Sequence, residues 1–225
     1  FNLFDPYWMD PEYDVYYRLL NAGIRLPAST GTDWFVCSGN RVYAHAPGAF
    51  SYASWLEALH AGRTFITNGP ALFLTVNGAA PGASLELDGR GVLHCGVRWA
   101  SHYNLNAVEV IADGQVVGRE AFASGSRAGV VECDLDVRHD GWIAARASGV
   151  ARDNYGQAVY AHTSPVYVQT GVVNPRRAAA GRFFVDAIDR SLAWIATKGR
   201  YHTDKQRDDV AALFRAGRAR FEALR

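Results

Sequence analysis

The stretch Val108-Glu-Val-Ile-Ala-Asp-Gly-Gln-Val-Val117 sets the fold of the middle of the chain. Two runs rich in β-branched and apolar residues flank Asp113-Gly114, and Asp-Gly favours the tight turn between antiparallel strands. The same kind of turn signal recurs at Asn77-Gly78, Asp88-Gly89 and Asp140-Gly141. About eight short strands at this spacing predict an antiparallel, immunoglobulin-like β-sandwich over residues 70–172. Trp99 and Trp142 lie in strand-like runs and are the expected core anchors.

Residues 1–69, before the sandwich, alternate between helix and loop signals. Asp10-Pro11 is a good helix start, and the apolar run Ile24 to Ser29 is consistent with a buried strand. Ser51 is expected to cap a second helix. This alternation fits the carboxyl-terminal part of a (β/α) barrel, which gives an α/β segment ahead of the all-β one.

Residues 173–225, after the sandwich, are expected to form a helical hairpin. Thr203-Asp-Lys-Gln206 has the sequence of a capping box at the start of the second helix. The expected apolar faces of the two helices are Phe184, Ile188, Leu192 and Ile195, and Val210, Leu213, Phe214, Phe221 and Leu224.

Composition excludes several classes of function. With 49% hydrophobic and 20% charged residues, the chain has the composition of a soluble globular protein. Its 23 Lys and Arg balance 22 Asp and Glu, so no overall field selects nucleic acid or an acidic membrane. No apolar run approaches the roughly 18 residues of a membrane span. The compartment stays open, because Cys95 and Cys133 could be core residues or, if their strands pair, a disulfide.

Three stretches carry a resemblance to a known family: Arg25 to Asp33, Gly62 to Pro70, and Ala161 to Val168. They are similar to the PHP superfamily of metal-dependent hydrolases, in the branch related to carbaryl hydrolases (the CehA/McbA type). The resemblance implies that residues 1–69 are the end of the hydrolase domain and that the sandwich follows it. It also implies a small-molecule substrate with an ester, carbamate, amide or phosphoester bond.

Asp33 is the candidate metal ligand. The local sequence Gly31-Thr-Asp33 alone is also typical of an ordinary turn aspartate. The resemblance implies instead that Asp33 binds a divalent metal such as Zn, Mn or Fe, which would activate water. Many PHP enzymes have a histidine two positions later, where this chain has Phe35. No His-x-His pair occurs in the chain. We therefore expect a missing amino-terminal half to supply the histidines, and this chain alone to bind metal weakly or not at all.

Two further residues, Arg63 and Asn68, are candidates for substrate binding. They could point into a cleft and orient a substrate or anion, or they could satisfy backbone groups at the junction between the domains. The seven histidines have no ligand spacing and are expected to be structural or solvated.

A second class of function stays open. The sandwich could be a non-catalytic binding or interaction module attached to a degenerate hydrolase domain. Tyr103, Tyr155 and Tyr160 are the aromatic side chains expected at its surface.

Overall fold

The computed structural model describes residues 9–31 and 38–224, with side chains from Glu12 onward. The elements are α1 (Met9–Asn21), β1 (Arg41–Ala44), α2 (Tyr52–His60), β2 (Thr64–Thr67), β3 (Ala71–Val76), β4 (Ser84–Glu86), β5 (Gly91–Ala112), β6 (Gln115–Val137), β7 (Gly141–Arg152), β8 (Ala158–Thr163), β9 (Val166–Gln169), α3 (Arg177–Thr197) and α4 (Asp204–Glu222). None of these helices is long and apolar enough to cross a membrane.

The nine strands form a β-sandwich, because the two longest strands take part in both layers. The first half of β5 pairs with β3 and with the second half of β6, and these make the smaller layer. The second half of β5 pairs with β7, and the larger layer continues through β8 and β2 to β1. Strand β3 contacts β7 and β8 without pairing with them, so the two layers lie face to face.

The sandwich interior is apolar. Side chains from both layers alternate into it along each strand, as expected for half-buried strands. Its largest members include Leu72, Leu74, Leu93, Val97, Trp99, Leu105 and Ile143. The expected burial of Trp99 and Trp142 is confirmed, although Trp142 faces the opposite side of its layer, towards α1.

The predicted turn at Asp113-Gly114 is confirmed. Both residues have positive φ, 50° and 85°, and Ala112 pairs with Gln115 across the turn. The prediction of about eight short strands was wrong in one respect: β5 and β6 span 22 and 23 residues. The chain passes between the layers through register shifts between Ala100 and Ala107 instead of through turns, and such irregularities bend a strand without ending it. Strand β4 also pairs parallel with β9.

The segment before residue 70 belongs to the same sheet as the sandwich. Strand β1 pairs antiparallel with β2, and β2 pairs antiparallel with β8. Alternation of helix and strand in the sequence does not fix the direction of pairing, and no parallel barrel pairing occurs within residues 9–31 and 38–69. The sheet has no break at residue 69. The barrel and the immunoglobulin-like relationship stay predictions, whereas the sandwich itself is confirmed.

The run Ile24 to Ser29 does not form the predicted strand. It lies on the outer face of the larger layer, where Ser29 forms a single β-bridge and the Tyr16 hydroxyl donates to the Leu26 carbonyl at 2.8 Å. Pro27 has no N–H, which prevents a regular ladder here.

The carboxyl-terminal hairpin is confirmed. Phe184 and Phe221 stack with ring centroids 4.6 Å apart, and Arg218 binds Asp189 of the facing helix. Thr203 caps α4 by accepting from the Gln206 N–H. Gln206 itself accepts from His202 and not from Thr203. Leu213 was wrongly assigned to the apolar face: it is 73% exposed, because α4 packs on α3 along a narrow stripe.

Candidate functional site

The three stretches that carry the family resemblance meet at one point. The Ala28 N–H donates to the Ser164 Oγ at 2.8 Å, and the Thr64 Oγ1 donates to the Ala28 carbonyl at 3.2 Å. The two hydroxyl oxygens lie 2.7 Å apart. All three residues are buried. We call Ala28, Thr64 and Ser164 the junction cluster; it fixes the extended segment that leads towards Gly31 and Asp33.

Asp33 itself lies outside the described residues, so its metal role stays a prediction. The described residues on either side of it approach the same end of the larger layer. Thr30 contacts the Tyr160 hydroxyl at 3.3 Å. Gly39 lies so close to Asp153 that a Cβ there would be 2.8 Å from the carboxylate. No group of three or more potential metal ligands occurs within residues 9–31 and 38–224.

A row of polar side chains crosses the outer face of the larger layer beneath α1. Glu109 on β5 lies beside Arg146 on β7, which lies beside His162 on β8. Arg146 binds the Glu109 carboxylate at 2.7 and 2.8 Å, and its guanidinium lies 5.1 Å from the Tyr13 ring centre. Glu109 is only 7% exposed. We call Glu109, Arg146 and His162 the polar row.

The hydrogen bonds of His162 fix its tautomer. Its Nδ1 lies 2.6 Å from the Thr163 carbonyl, which can only accept, so Nδ1 carries the hydrogen. The Nε2 then accepts from the Tyr17 hydroxyl at 2.8 Å. Burial, with a further contribution from Arg146, lowers the pKa of His162 to about 3. The ring is therefore neutral at ordinary pH, and the expectation that this histidine is structural fits its position.

Asn68 is buried and holds the junction between β2 and β3 to the edge of β8. Its side-chain amide donates to the Asp153 carboxylate and to the Ala158 carbonyl, both at 3.0 Å, and its Oδ1 accepts from the Tyr160 N–H at 2.8 Å. Of the two roles expected for Asn68, the described contacts are those of a residue that satisfies backbone groups.

Arg63 lines a groove of about 620 Å³ between the paired strands β1 and β2 and strand β3. Its Nη2 binds the exposed Glu57 at 2.9 Å. Its Nε is buried and has no acceptor among the described residues. Tyr43 and Phe65 stack along one wall with centroids 5.0 Å apart, and Phe73 meets Phe65 edge-on at 5.7 Å. Arg63 and Asn68, the two candidate substrate-binding residues, therefore line different pockets.

A second, polar pocket of about 260 Å³ lies at the end of this groove, and the two share Tyr43 and Gly69. Tyr103 and Tyr155 line it, as expected for surface aromatic residues, and Tyr155 is 52% exposed. Tyr160 was wrongly placed at the surface: it is 3% exposed, because it packs on the outer face with the aromatic residues of α1.

Cys95 and Cys133 lie directly opposite each other on paired strands and are free thiols. Burial raises the pKa of the Cys95 thiol to about 12, so that this group is unreactive at neutral pH. Cys37 lies outside the described residues.

Sequence reasoning missed the polar row and the junction cluster. Two charged residues within apolar strand runs, Glu109 after Val108 and Arg146 after Trp142-Ile-Ala-Ala, were the local signals. The partners are distant in sequence: Tyr17 and His162 are 145 residues apart.

Comparison with known proteins gives little further information. No protein family matches this chain, and no curated protein matches it. The chain resembles the solution structure of the CARDB domain of a Pyrococcus furiosus protein, with 12% identity over 45% of this chain and 96% of that one, at a TM-score of 0.28. It also resembles a lytic polysaccharide monooxygenase from Jonesia denitrificans, with 17% identity over 67% of this chain and 92% of that one, at a TM-score of 0.23. Likeness at this level says nothing about what the chain does.

Proposed function

We propose that this chain is the carboxyl-terminal portion of a metal-dependent hydrolase acting on an ester, carbamate, amide or phosphoester. In this proposal Asp33 is a metal ligand, and the histidines come from chain that precedes Phe1. The observation that supports it is the junction cluster. Three stretches far apart in sequence, each resembling the same hydrolase family, meet through Ala28, Thr64 and Ser164 just before Asp33.

The proposed arrangement has a physical rationale. A ligand carboxylate binds metal well only when its backbone is held in fixed geometry. The cluster anchors the approach to Asp33 through three buried residues, and Thr30 continues this anchoring at Tyr160. The sandwich would then act as the rigid support for a site that it shares with another part of the protein.

Elemental analysis of the complete protein tests the proposal. Asp33→Asn keeps the size of the side chain but removes its charge, so we expect lost metal occupancy and lost hydrolysis with an unchanged melting temperature of the metal-free form. Asp88→Asn is the matched control, because Asp88 lies exposed in a turn. Equal metal content in the wild type and Asp33→Asn would show that Asp33 is an ordinary turn residue.

The second candidate, a binding module, is favoured by the polar pocket. The exposed rings of Tyr43 and Tyr155 line it and offer stacking faces to a polymer, whereas the buried Asp153 and Asn68 side chains bind each other and the backbone. Affinity electrophoresis in gels that contain soluble polysaccharides tests this function. Retardation that Tyr155→Ala abolishes would support it, and equal mobility in every gel would exclude this class of ligand.

A further inference from the structure

The groove between the two layers exists because the layers differ in width. The smaller layer ends at β3, whereas the larger layer continues beyond β8 to β2 and β1. On β2, Ile66 faces α1, and the neighbouring Phe65 faces the other way, into the groove. Tyr43 lies opposite Phe65 in the register and lines the same groove. These rings would lie under the smaller layer if it had one more strand.

The edge of β3 along this groove is open. Strand β3 pairs with β5 over its whole length, from Ala71 to Val76. Its outer edge has no partner among the described residues from Ala71 to Thr75, whereas Val76 forms an isolated antiparallel bridge with Ala79 on that edge. Six consecutive residues, from Pro70 to Thr75, line the groove, so the groove follows the edge. An open edge presents backbone N–H and C=O groups that a further strand can bind.

We propose that an extended segment of a partner polypeptide binds here as an added strand on β3, with every second side chain apolar and directed into the groove. Backbone hydrogen bonds to β3 would supply affinity, and the aromatic wall would select the side chains. About six residues match the length of β3 at roughly 3.3 Å per residue. The proposal does not depend on Asp33 or on a metal.

The charges at the groove specify the segment further. Arg98 stacks on Phe73 at 4.4 Å and makes no ion pair with the described residues. Arg63 keeps a buried Nε without an acceptor, and His45 lies on the same side. Opposite charge across an interface favours the correct partner, so the bound segment should carry Asp or Glu at its ends.

Selection from a displayed library of random nine-residue peptides tests the proposal on this chain. Phe73→Lys places a charge on the groove wall, and Val116→Lys is its control, because Phe73 is 41% and Val116 46% exposed and both lie on strands. We expect enrichment of sequences with alternating apolar residues and acidic ends. The selected peptide, made synthetically, should bind Phe73→Lys at least tenfold more weakly than the wild type and Val116→Lys equally well.

Methylation of the peptide nitrogens, one residue at a time, tests the binding mode without changing the protein. A strand added to one edge uses every second N–H, so methylation should abolish binding at alternate positions and leave it intact between them. Amide hydrogen exchange should slow on binding at Leu72 and Leu74, whose N–H groups face the open edge, because the N–H groups of the intervening residues face β5 and that of Val76 already binds Ala79. A library without alternating sequences, a methylation effect without the two-residue period, or self-association of the chain through β3 would each overturn the proposal.

Discussion

The two faces of the larger layer are built in different ways. The inner face meets the smaller layer through aliphatic and aromatic side chains, of which Leu93, Val97 and Val110 are fully buried. The outer face meets α1 through aromatic rings and the polar row. The inner face therefore depends mainly on buried area, and the outer face depends on particular hydrogen-bonding partners.

We infer that the inner face mainly stabilises the fold, whereas the outer face mainly determines where α1 lies. Burial of an aliphatic side chain contributes about 1.5–3 kcal/mol and tolerates changes of shape. A buried ion pair such as Glu109–Arg146 contributes little net stability, because desolvation offsets the attraction, but loss of one partner leaves a buried charge. We infer that the polar row chiefly specifies where α1 and the segment that follows it lie.

The largest expected effect comes from breaking the pair on the outer face. Arg146→Leu removes the guanidinium and leaves the buried Glu109 carboxylate without its main partner. We expect the free energy of unfolding to fall by about 4 kcal/mol. Urea unfolding followed by circular dichroism measures this change.

The double variant Glu109→Leu with Arg146→Leu is the matched control for this prediction. It removes both charges together, so its free energy of unfolding should return to within about 1 kcal/mol of the wild type. A double variant as unstable as Arg146→Leu would show that the pair itself stabilises the fold, and the distinction between the two faces would be lost.

A somewhat smaller effect is expected on the inner face. Leu74 is buried against the opposite layer, and Leu74→Ala leaves a cavity that should lower the free energy of unfolding by about 3 kcal/mol. The same urea titration applies. Leu74→Met should lose less than about 1.5 kcal/mol, because it conserves volume. Equal losses for Ala and Met would indicate that shape, and not area, governs this face as well.

A smaller change in the free energy of unfolding is expected when the pH is lowered, and it comes from His162 on the outer face. The pKa of His162 is lowered to about 3 in the folded chain, against about 6.5 in an unfolded one. Between these values only the unfolded chain binds the proton, so the free energy of unfolding falls as the pH falls. The expected loss is about 1.6 kcal/mol between pH 6.5 and pH 5, and the slope approaches about 1.4 kcal/mol per pH unit only well below pH 6.5.

His162→Gln isolates this contribution, because glutamine does not titrate. We expect the average slope of the free energy of unfolding against pH between 6.5 and 5 to decrease by about 1.1 kcal/mol per unit in the variant, whatever its absolute stability. Equal slopes in the two proteins would mean that His162 is protonated in the folded chain or reached by solvent.

The features that the sequence predicted are those fixed by neighbouring residues. The turn at Asp113-Gly114, the Ser51 cap of α2 and the Thr203 cap of α4 each depend on a few adjacent positions. The bends within β5 and β6 have no such signal, because they arise where the chain passes from one layer to the other. The addition of β1 and β2 to the sandwich depends on pairing with β8, almost a hundred residues away.

In the candidate site, too, the contacts between residues distant in sequence were the ones that could not be predicted. The three stretches that carry the resemblance contact one another at Ala28, Thr64 and Ser164. Which atoms would meet was not predictable, because the two hydroxyls come from β2 and from the link between β8 and β9, a hundred residues apart. The local sequence of Asn68 allowed two roles, and its observed contacts are with Asp153 and Tyr160, which are distant in sequence.

The central claim is that the junction cluster presents Asp33 to a metal. Anomalous diffraction at the absorption edge of the metal, recorded from crystals of the complete protein, tests it most directly. We predict a metal peak with an Asp33 carboxylate oxygen about 2.0–2.2 Å away if the metal is zinc, with histidines from preceding chain completing the site. A metal bound elsewhere, or an Asp33 carboxylate that forms only turn hydrogen bonds beside an occupied site, would contradict the claim.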